Sequence, residues 1–189
     1  MIGNAKGLIF DCDGTLVDSM PLHMDVWKHA FLCVNEDYNH EYLDSKKGMK
    51  ESDIIEMYNR DFHKNLDPEI LVFIKHQYFN EHFKLLKPIK KIVDVVDENH
   101  KRLPMSVVSG SRRDIVHREL EFIGIKDKFD FILTADDKFK PKPAPDKFLE
   151  AARLMKLDPE DCVVFEDGDL GINAAKIAGM KTIDVRIIL

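Results

Sequence analysis

The chain has 189 residues, 44% of them hydrophobic and 33% charged, with a net charge of -6. That is enough to bury one good core, or one core with an insertion, and it leaves no overall positive field for a polyanion such as nucleic acid. Its three cysteines, Cys12, Cys33 and Cys162, form no C-x-x-C pair, and no apolar run nears the roughly 18 residues that span a bilayer, so a disulfide framework, a zinc knuckle and a membrane partner are not expected.

The first predicted element lies in Gly7-Leu8-Ile9-Phe10-Asp11-Cys12-Asp13-Gly14-Thr15-Leu16-Val17, an apolar strand that runs into two acids. It ends too soon for a signal peptide, and with the scattered cysteines this points to a reducing cytoplasm. In an extended chain residues i and i+2 point the same way, about 6 to 7 Å apart, so Asp11 and Asp13 are expected on one face just beyond the buried part of the strand. Gly14 lets the backbone bend there. Two close carboxylates raise each other's pKa unless a cation or a shared proton relieves them. The pair therefore invites a divalent metal or acid/base work; a capping turn with solvated acids is the competing reading. An EF-hand loop is excluded, because its fifth, sixth and twelfth positions would be Thr15, Leu16 and Leu22.

Asp18-Ser19-Met20-Pro21 reads as a helix opening. From there to Pro88 apolar residues recur at helical spacing, as in Ile54, Met57, Tyr58 and Ile70, Leu71, Ile74, Tyr78. About four helices are expected, broken near residues 35–40, 46–50 and 65–68. Six histidines in this block (His23, His29, His40, His63, His76 and His82) lack metal-ligand spacing and are read as surface or half-buried.

Beyond Pro88 helices and strands alternate. Helices are expected on Ile89 to Val96, on Val116 to Ile123 before Gly124, on Pro145 to Leu157 and on Leu170 to Ala178 before Gly179. Strands are expected over residues 104–108, 130–134, 162–165 and 181–185. This alternation predicts an α/β fold, a Rossmann-like parallel sheet covered on both faces. The first strand joins that sheet, so the expected organisation is an α/β core of residues 1–17 and 89–189 interrupted by a helical insertion over 18–88. Insertion and core carry net charges of -4 and -2. An anion must then be held by a few placed cations and backbone N–H groups, which favours a small ligand.

In an open parallel sheet, ligands sit beyond the carboxyl ends of the strands. Ser109-Gly110-Ser111 follows the second strand and offers hydroxyls and backbone N–H groups to phosphate oxygens, or else a plain helix cap at Ser109 or Ser111. Glu166-Asp167-Gly168 sets a second acid pair at the same edge, with a solvated turn as its alternative. Four acids so close require a cation, and an all-oxygen set suits Mg²⁺. Lys142, in a proline-stiffened loop, can cancel charge on a carboxylate and on phosphate, or be an ordinary surface lysine.

Asp11-x-Asp13-Gly14-Thr15, Ser109, Lys142 with Pro143-x-Pro145-Asp146, and Glu166-Asp167 with Gly171 and Ala174-Ala175-x-x-Ala178-Gly179-Met180 together resemble the four motifs of the haloacid dehalogenase (HAD) superfamily. The inserted helices resemble its β-phosphoglucomutase-like branch. The short length, Leu103-Pro104-Met105 and the stretch from Cys162 to Arg186 resemble its small bacterial phosphatases of fructose-1-phosphate and 6-phosphogluconate. The resemblance implies a phosphatase with Asp11 as nucleophile, Asp13 as general acid and base, and Ser109 and Lys142 holding the phosphoryl oxygens. It also implies Mg²⁺ on Asp11, the Asp13 carbonyl and Asp167, with Glu166 nearby. Gly168 stands where the family commonly has serine.

The insertion would then be a cap that closes over the site and selects a small phosphorylated metabolite. Cap residues used by mutase-type members match His23, Trp27, Lys47, Gly48 and Lys75. An arginine that grips a second phosphate is replaced by Glu51, with Lys50 beside it, and this charge inversion argues against a β-phosphoglucomutase. A non-catalytic phosphate-binding or scaffold protein on the same fold is the remaining alternative.

Overall fold

The computed structural model describes residues 2–46 and 49–189, and the chain divides into two units, one running up to Asp18 and resuming over Lys87–Leu189, the other Ser19–Leu86. The first holds five parallel strands, β1 (Gly7–Phe10), β2 (Met105–Val108), β3 (Phe131–Leu133), β4 (Cys162–Glu166) and β5 (Lys181–Asp184), in the order β3-β2-β1-β4-β5. Leu8 lies opposite Met105 and Val163, and Phe10 opposite Val107 and Phe165. Such continuous apolar runs belong to strands covered on both faces, and β1, β2 and β4 are buried along their whole length.

Helices α5 (Lys90–Asn99), α6 (Arg113–Phe122), α7 (Asp146–Met155) and α8 (Asp169–Ile177) connect these strands, following the four α-helices that the described residues form in the other unit. Ile9 and Val164 pack with Phe148, Ala151 and Ala152 of α7 and with Ala174 and Ala175 of α8. Their neighbours Phe10 and Phe165 point to the opposite face, where their rings stack at 4.8 Å. The chain leaves β1 toward β2 and β3, then returns to β4 on the other side of β1. The order therefore reverses beside β1, where open α/β sheets leave a crevice at their carboxyl edge.

Two predicted strands end earlier than expected, because side chains satisfy the backbone there. The Asp184 carboxylate accepts from the Arg186 N–H at 3.0 Å and starts a short helix, α9 (Val185–Ile188), that the apolar pattern did not suggest. β3 ends where the Thr134 N–H donates to the Asp137 side chain at 2.7 Å, and it starts one residue later than expected, after Asp130, whose side chain accepts from the Met105 N–H at 2.8 Å.

The other unit consists of α1 (Met20–Cys33), α2 (His40–Asp44), α3 (Glu51–Phe62) and α4 (Pro68–His82). Pro21 lies in the first turn of α1, and the Asp67 carboxylate caps α4 by accepting from the Glu69 and Ile70 N–H groups. Trp27, Phe31, Leu43, Ile54, Ile55, Tyr58 and Leu71 form its core. The six histidines of this block are all half-buried or exposed. Among the described residues no helix is long and apolar enough to cross a membrane.

Candidate active site

β1 delivers Asp11 directly to the carboxyl edge, where its backbone N–H donates to the Phe165 carbonyl at 2.9 Å. The chain then coils rather than staying extended. The Leu16 and Val17 N–H groups both return to the Cys12 carbonyl, and Gly14 sits at φ +78°, a left-handed conformation that favours glycine. This coil gives the two acids different partners, where an extended chain would have shown them one environment. Asp11 meets Lys142, whereas Asp13 accepts from the Ser111 hydroxyl at 2.5 Å.

The Lys142 ammonium donates to Asp11 Oδ1 and to Glu166 Oε2, each at 2.6 Å, with its side chain only 8% exposed and lying 5.4 Å from the centre of the Phe148 ring. Burial alone lowers a lysine's pKa, but the carboxylates of Asp11 and Glu166 more than reverse this and hold Lys142 above its ordinary value. Lys142 is thus not an ordinary surface lysine, and Asp11 and Glu166 are buried rather than solvated. The other oxygen of Glu166 accepts from the Gly168 N–H at 3.0 Å. A side chain at Gly171 would displace the Glu166 carboxylate, since a Cβ would stand 2.0 Å from Glu166 Oε2.

Asp167 accepts from the hydroxyl of Thr15, itself fully buried, at 3.1 Å. One oxygen each of Asp11, Glu166 and Asp167 lie within 4.8 Å of one another. Burial first, and then the charge of Glu166, push Asp11 well above the usual carboxylate range and Asp167 up to about 6. Lys142 is a single positive charge among these three carboxylates. An all-oxygen donor set carrying excess negative charge has the chemistry of a site for a hard divalent cation.

Ser109, fully buried, follows β2, and its hydroxyl oxygen accepts from the Ser111 N–H at 2.9 Å. Neither serine caps α6, contrary to the simpler reading of this turn. The helix starts at Arg113, whose N–H is taken by Asp136 at 2.8 Å, and the Ser111 hydroxyl is committed to Asp13. Gly110 is the exposed apex of the turn.

In the helical unit, His23 is half-buried and stacks on Phe79 at 5.0 Å, and Trp27 is 6% exposed within the core. Lys75 is 3% exposed, lies 5.2 Å from the Trp27 ring centre and forms an ion pair with Glu51. The second Glu51 oxygen contacts His76 Nε2 at 2.7 Å. Glu51 is therefore not the unopposed negative charge that its place in the sequence suggested. Burial raises its pKa, but Lys75 and His76 outweigh this and hold it down at about 2. Lys47 and Gly48 lie outside the described residues.

Two buried polar residues near this edge went unnoticed in the sequence. Glu119 on α6 accepts from the Cys12 thiol at 3.5 Å, and burial, then the Glu119 charge, push that thiol up. Lys147 on α7 donates to the Ser109 carbonyl at 3.0 Å. Both stand beside apolar residues of a helical face, so the pattern that reveals the face conceals them.

A family model described as haloacid dehalogenase-like hydrolase matches residues 8–185. The chain is 36% identical over 184 residues to the fructose-1-phosphate phosphatase YqaB of Escherichia coli, covering 96% of this chain and 97% of that one. It is 26% identical over 189 residues to a β-phosphoglucomutase of Bacillus subtilis, covering 95% and 83%. Among solved structures, a hydrolase from Pseudomonas syringae superimposes with a TM-score of 0.81 at 23% identity, covering 94% and 83% of the two chains, a likeness of fold.

Proposed function

The chain belongs to the haloacid dehalogenase-like hydrolases, and from that premise we propose that it is a Mg²⁺-dependent phosphatase that cleaves a small phosphorylated sugar or sugar acid through a phosphoaspartyl intermediate on Asp11. The observation that carries this reading is Lys142 bridging Asp11 and Glu166, with Asp167 in the same cluster. A carboxylate beside a buried ammonium can approach a phosphate dianion without meeting the full repulsion of the other acids.

Asp11 attacks phosphorus and displaces the sugar oxygen, while Asp13, held by Ser111, gives its proton to that oxygen. The sugar alcohol leaves. In the second half Asp13 takes a proton from water, which attacks the aspartyl phosphate, releases inorganic phosphate and restores Asp11. Two easier displacements replace one difficult one, and the placed acid and base contribute on the order of 10²- to 10⁴-fold. Lys142, the Ser109 hydroxyl and the Gly110 N–H would receive the phosphoryl oxygens, the Ser109 and Ser111 N–H groups being taken by the Leu133 carbonyl and the Ser109 hydroxyl oxygen. Asp11, Asp167 and the Asp13 carbonyl would hold Mg²⁺, which supplies positive charge to the phosphoryl group. Glu166, with one oxygen on Lys142 and the other on Gly168, would chiefly orient that lysine. Substrate selection is assigned to the helical unit. Glu51 supports a phosphatase over a mutase, because it already occupies the Lys75 ammonium and the His76 ring, groups that a second phosphate would need.

The test is a panel of phosphorylated metabolites including fructose-1-phosphate, 6-phosphogluconate and β-glucose-1-phosphate, assayed with Mg²⁺ and with a chelator. Steady phosphate release without added sugar bisphosphate, abolished by the chelator and by Asp11→Asn, is expected. Release only alongside isomerised sugar phosphate would mean a mutase, and no turnover of any substrate would mean a non-catalytic phosphate-binding protein.

A further inference from the structure

We propose that Lys147 is a positioning residue of the reaction, holding the Ser109–Ser111 turn that fixes Asp13 and giving that turn positive charge for a phosphoryl group. Lys147 is the second residue of α7 and only 4% exposed. A buried ammonium is costly to desolvate and needs compensating partners. Its Nζ donates to the Ser109 carbonyl at 3.0 Å, the Ser109 hydroxyl oxygen accepts from the Ser111 N–H at 2.9 Å, and the Ser111 hydroxyl donates to Asp13 Oδ2 at 2.5 Å. A continuous line of bonds thus runs from Lys147 to the proposed acid/base.

The Ser109 carbonyl belongs to the same peptide unit as the Gly110 N–H. A cation on that oxygen polarises the peptide and makes the N–H a stronger donor. The charged groups acting on Lys147 are Lys142, Asp137, Asp11 and Asp136. Burial, then Lys142, lower its pKa to about 8, so the charge is present at neutral pH and is lost on mild alkalinisation.

This inference rests on the phosphatase reading, and steady-state kinetics from pH 6 to 9.5 on the intact chain, Lys147→Gln and Lys147→Met test it. In the unaltered protein KM should rise about tenfold between pH 7 and 9, with kcat nearly constant, as one group titrates. Lys147→Gln, which retains a donor but no charge, should show a raised KM without that rise. Lys147→Met, lacking both, should also lose about tenfold in kcat as Asp13 is released. A Lys147→Met enzyme with kcat and KM within twofold of the unaltered protein would overturn the inference. If that variant does not fold, a flat KM in the unaltered protein, or an unchanged alkaline rise in Lys147→Gln, overturns it equally. If the unaltered protein turns over no substrate, the phosphatase reading fails instead. Calorimetric binding of inorganic phosphate at pH 7 and 9 then decides for Lys147, with identical affinities in the unaltered protein and Lys147→Gln counting against it.

Discussion

The hydroxyl of Thr15 donates to Oδ1 of Asp167 at 3.1 Å, joining the turn after β1 to the turn after β4 across 152 residues of chain. Partners behind a metal ligand orient it, and removing one typically weakens the metal by about 10- to 100-fold. Thr15→Val keeps the shape and deletes the donor. The Mg²⁺ concentration for half-maximal turnover should rise about tenfold, with a stability loss of about 1 to 2 kcal/mol in urea unfolding; an unchanged Mg²⁺ requirement would separate Thr15 from the metal.

In chelated protein Asp167 binds its proton up to about pH 6, higher than in the unfolded chain, so the folded state holds more protons in that range and loses stability as pH rises from about 4 to 6. The effect is worth up to about 3 kcal/mol. The melting temperature with a chelator should fall over that interval, Asp167→Asn should flatten the fall, and Mg²⁺ should raise the melting temperature more at pH 7.5 than at pH 5. Equal gains at both pH values would count against a carboxylate metal site.

Two glycines on and after α8 should answer differently to alanine. At Gly171 the added Cβ drives Glu166 off Lys142, so activity should collapse and stability should drop by about 1 to 3 kcal/mol. Gly179, at φ +79° with nothing within 4 Å of an added Cβ, should lose only about 1 kcal/mol of backbone preference and keep its turnover. Kinetics and urea unfolding of the pair check this, and an active Gly171→Ala enzyme would mean that Glu166 can move without consequence.

Glu51→Gln leaves the buried ammonium of Lys75 without its carboxylate, and breaking such a pair costs about 3 kcal/mol. Because Glu51 is held down at about 2, its contribution is present at neutral pH and is lost as pH falls from about 4.5 to 2. The stability difference between the two proteins should therefore be large at pH 7 and shrink toward pH 3. A difference independent of pH would point to packing rather than charge.

Much of the architecture was legible because its signals are local. Apolar runs closed by Gly124 and Gly179 marked the strands and helices of the α/β unit, and the rule that parallel sheets bind ligands at their carboxyl edge pointed to Asp11, Ser109 and Glu166 from the order of the residues. The failures at strand ends were local too, since Asp184 and Asp137 ended strands by accepting backbone bonds that an apolar pattern does not record.

Periodicity and strand-end chemistry in the bare chain were sufficient for the fold class and for which acids stand at the sheet's edge, because both follow from neighbours a few residues apart. Which group each acid meets was settled by folding alone. Lys142 reaches Asp11 over 131 residues, Ser111 reaches Asp13 over 98, and Lys147 reaches the Ser109 carbonyl over 38. Such pairings depend on strand order and on the space left between packed helices, quantities that exist only once the sheet has assembled.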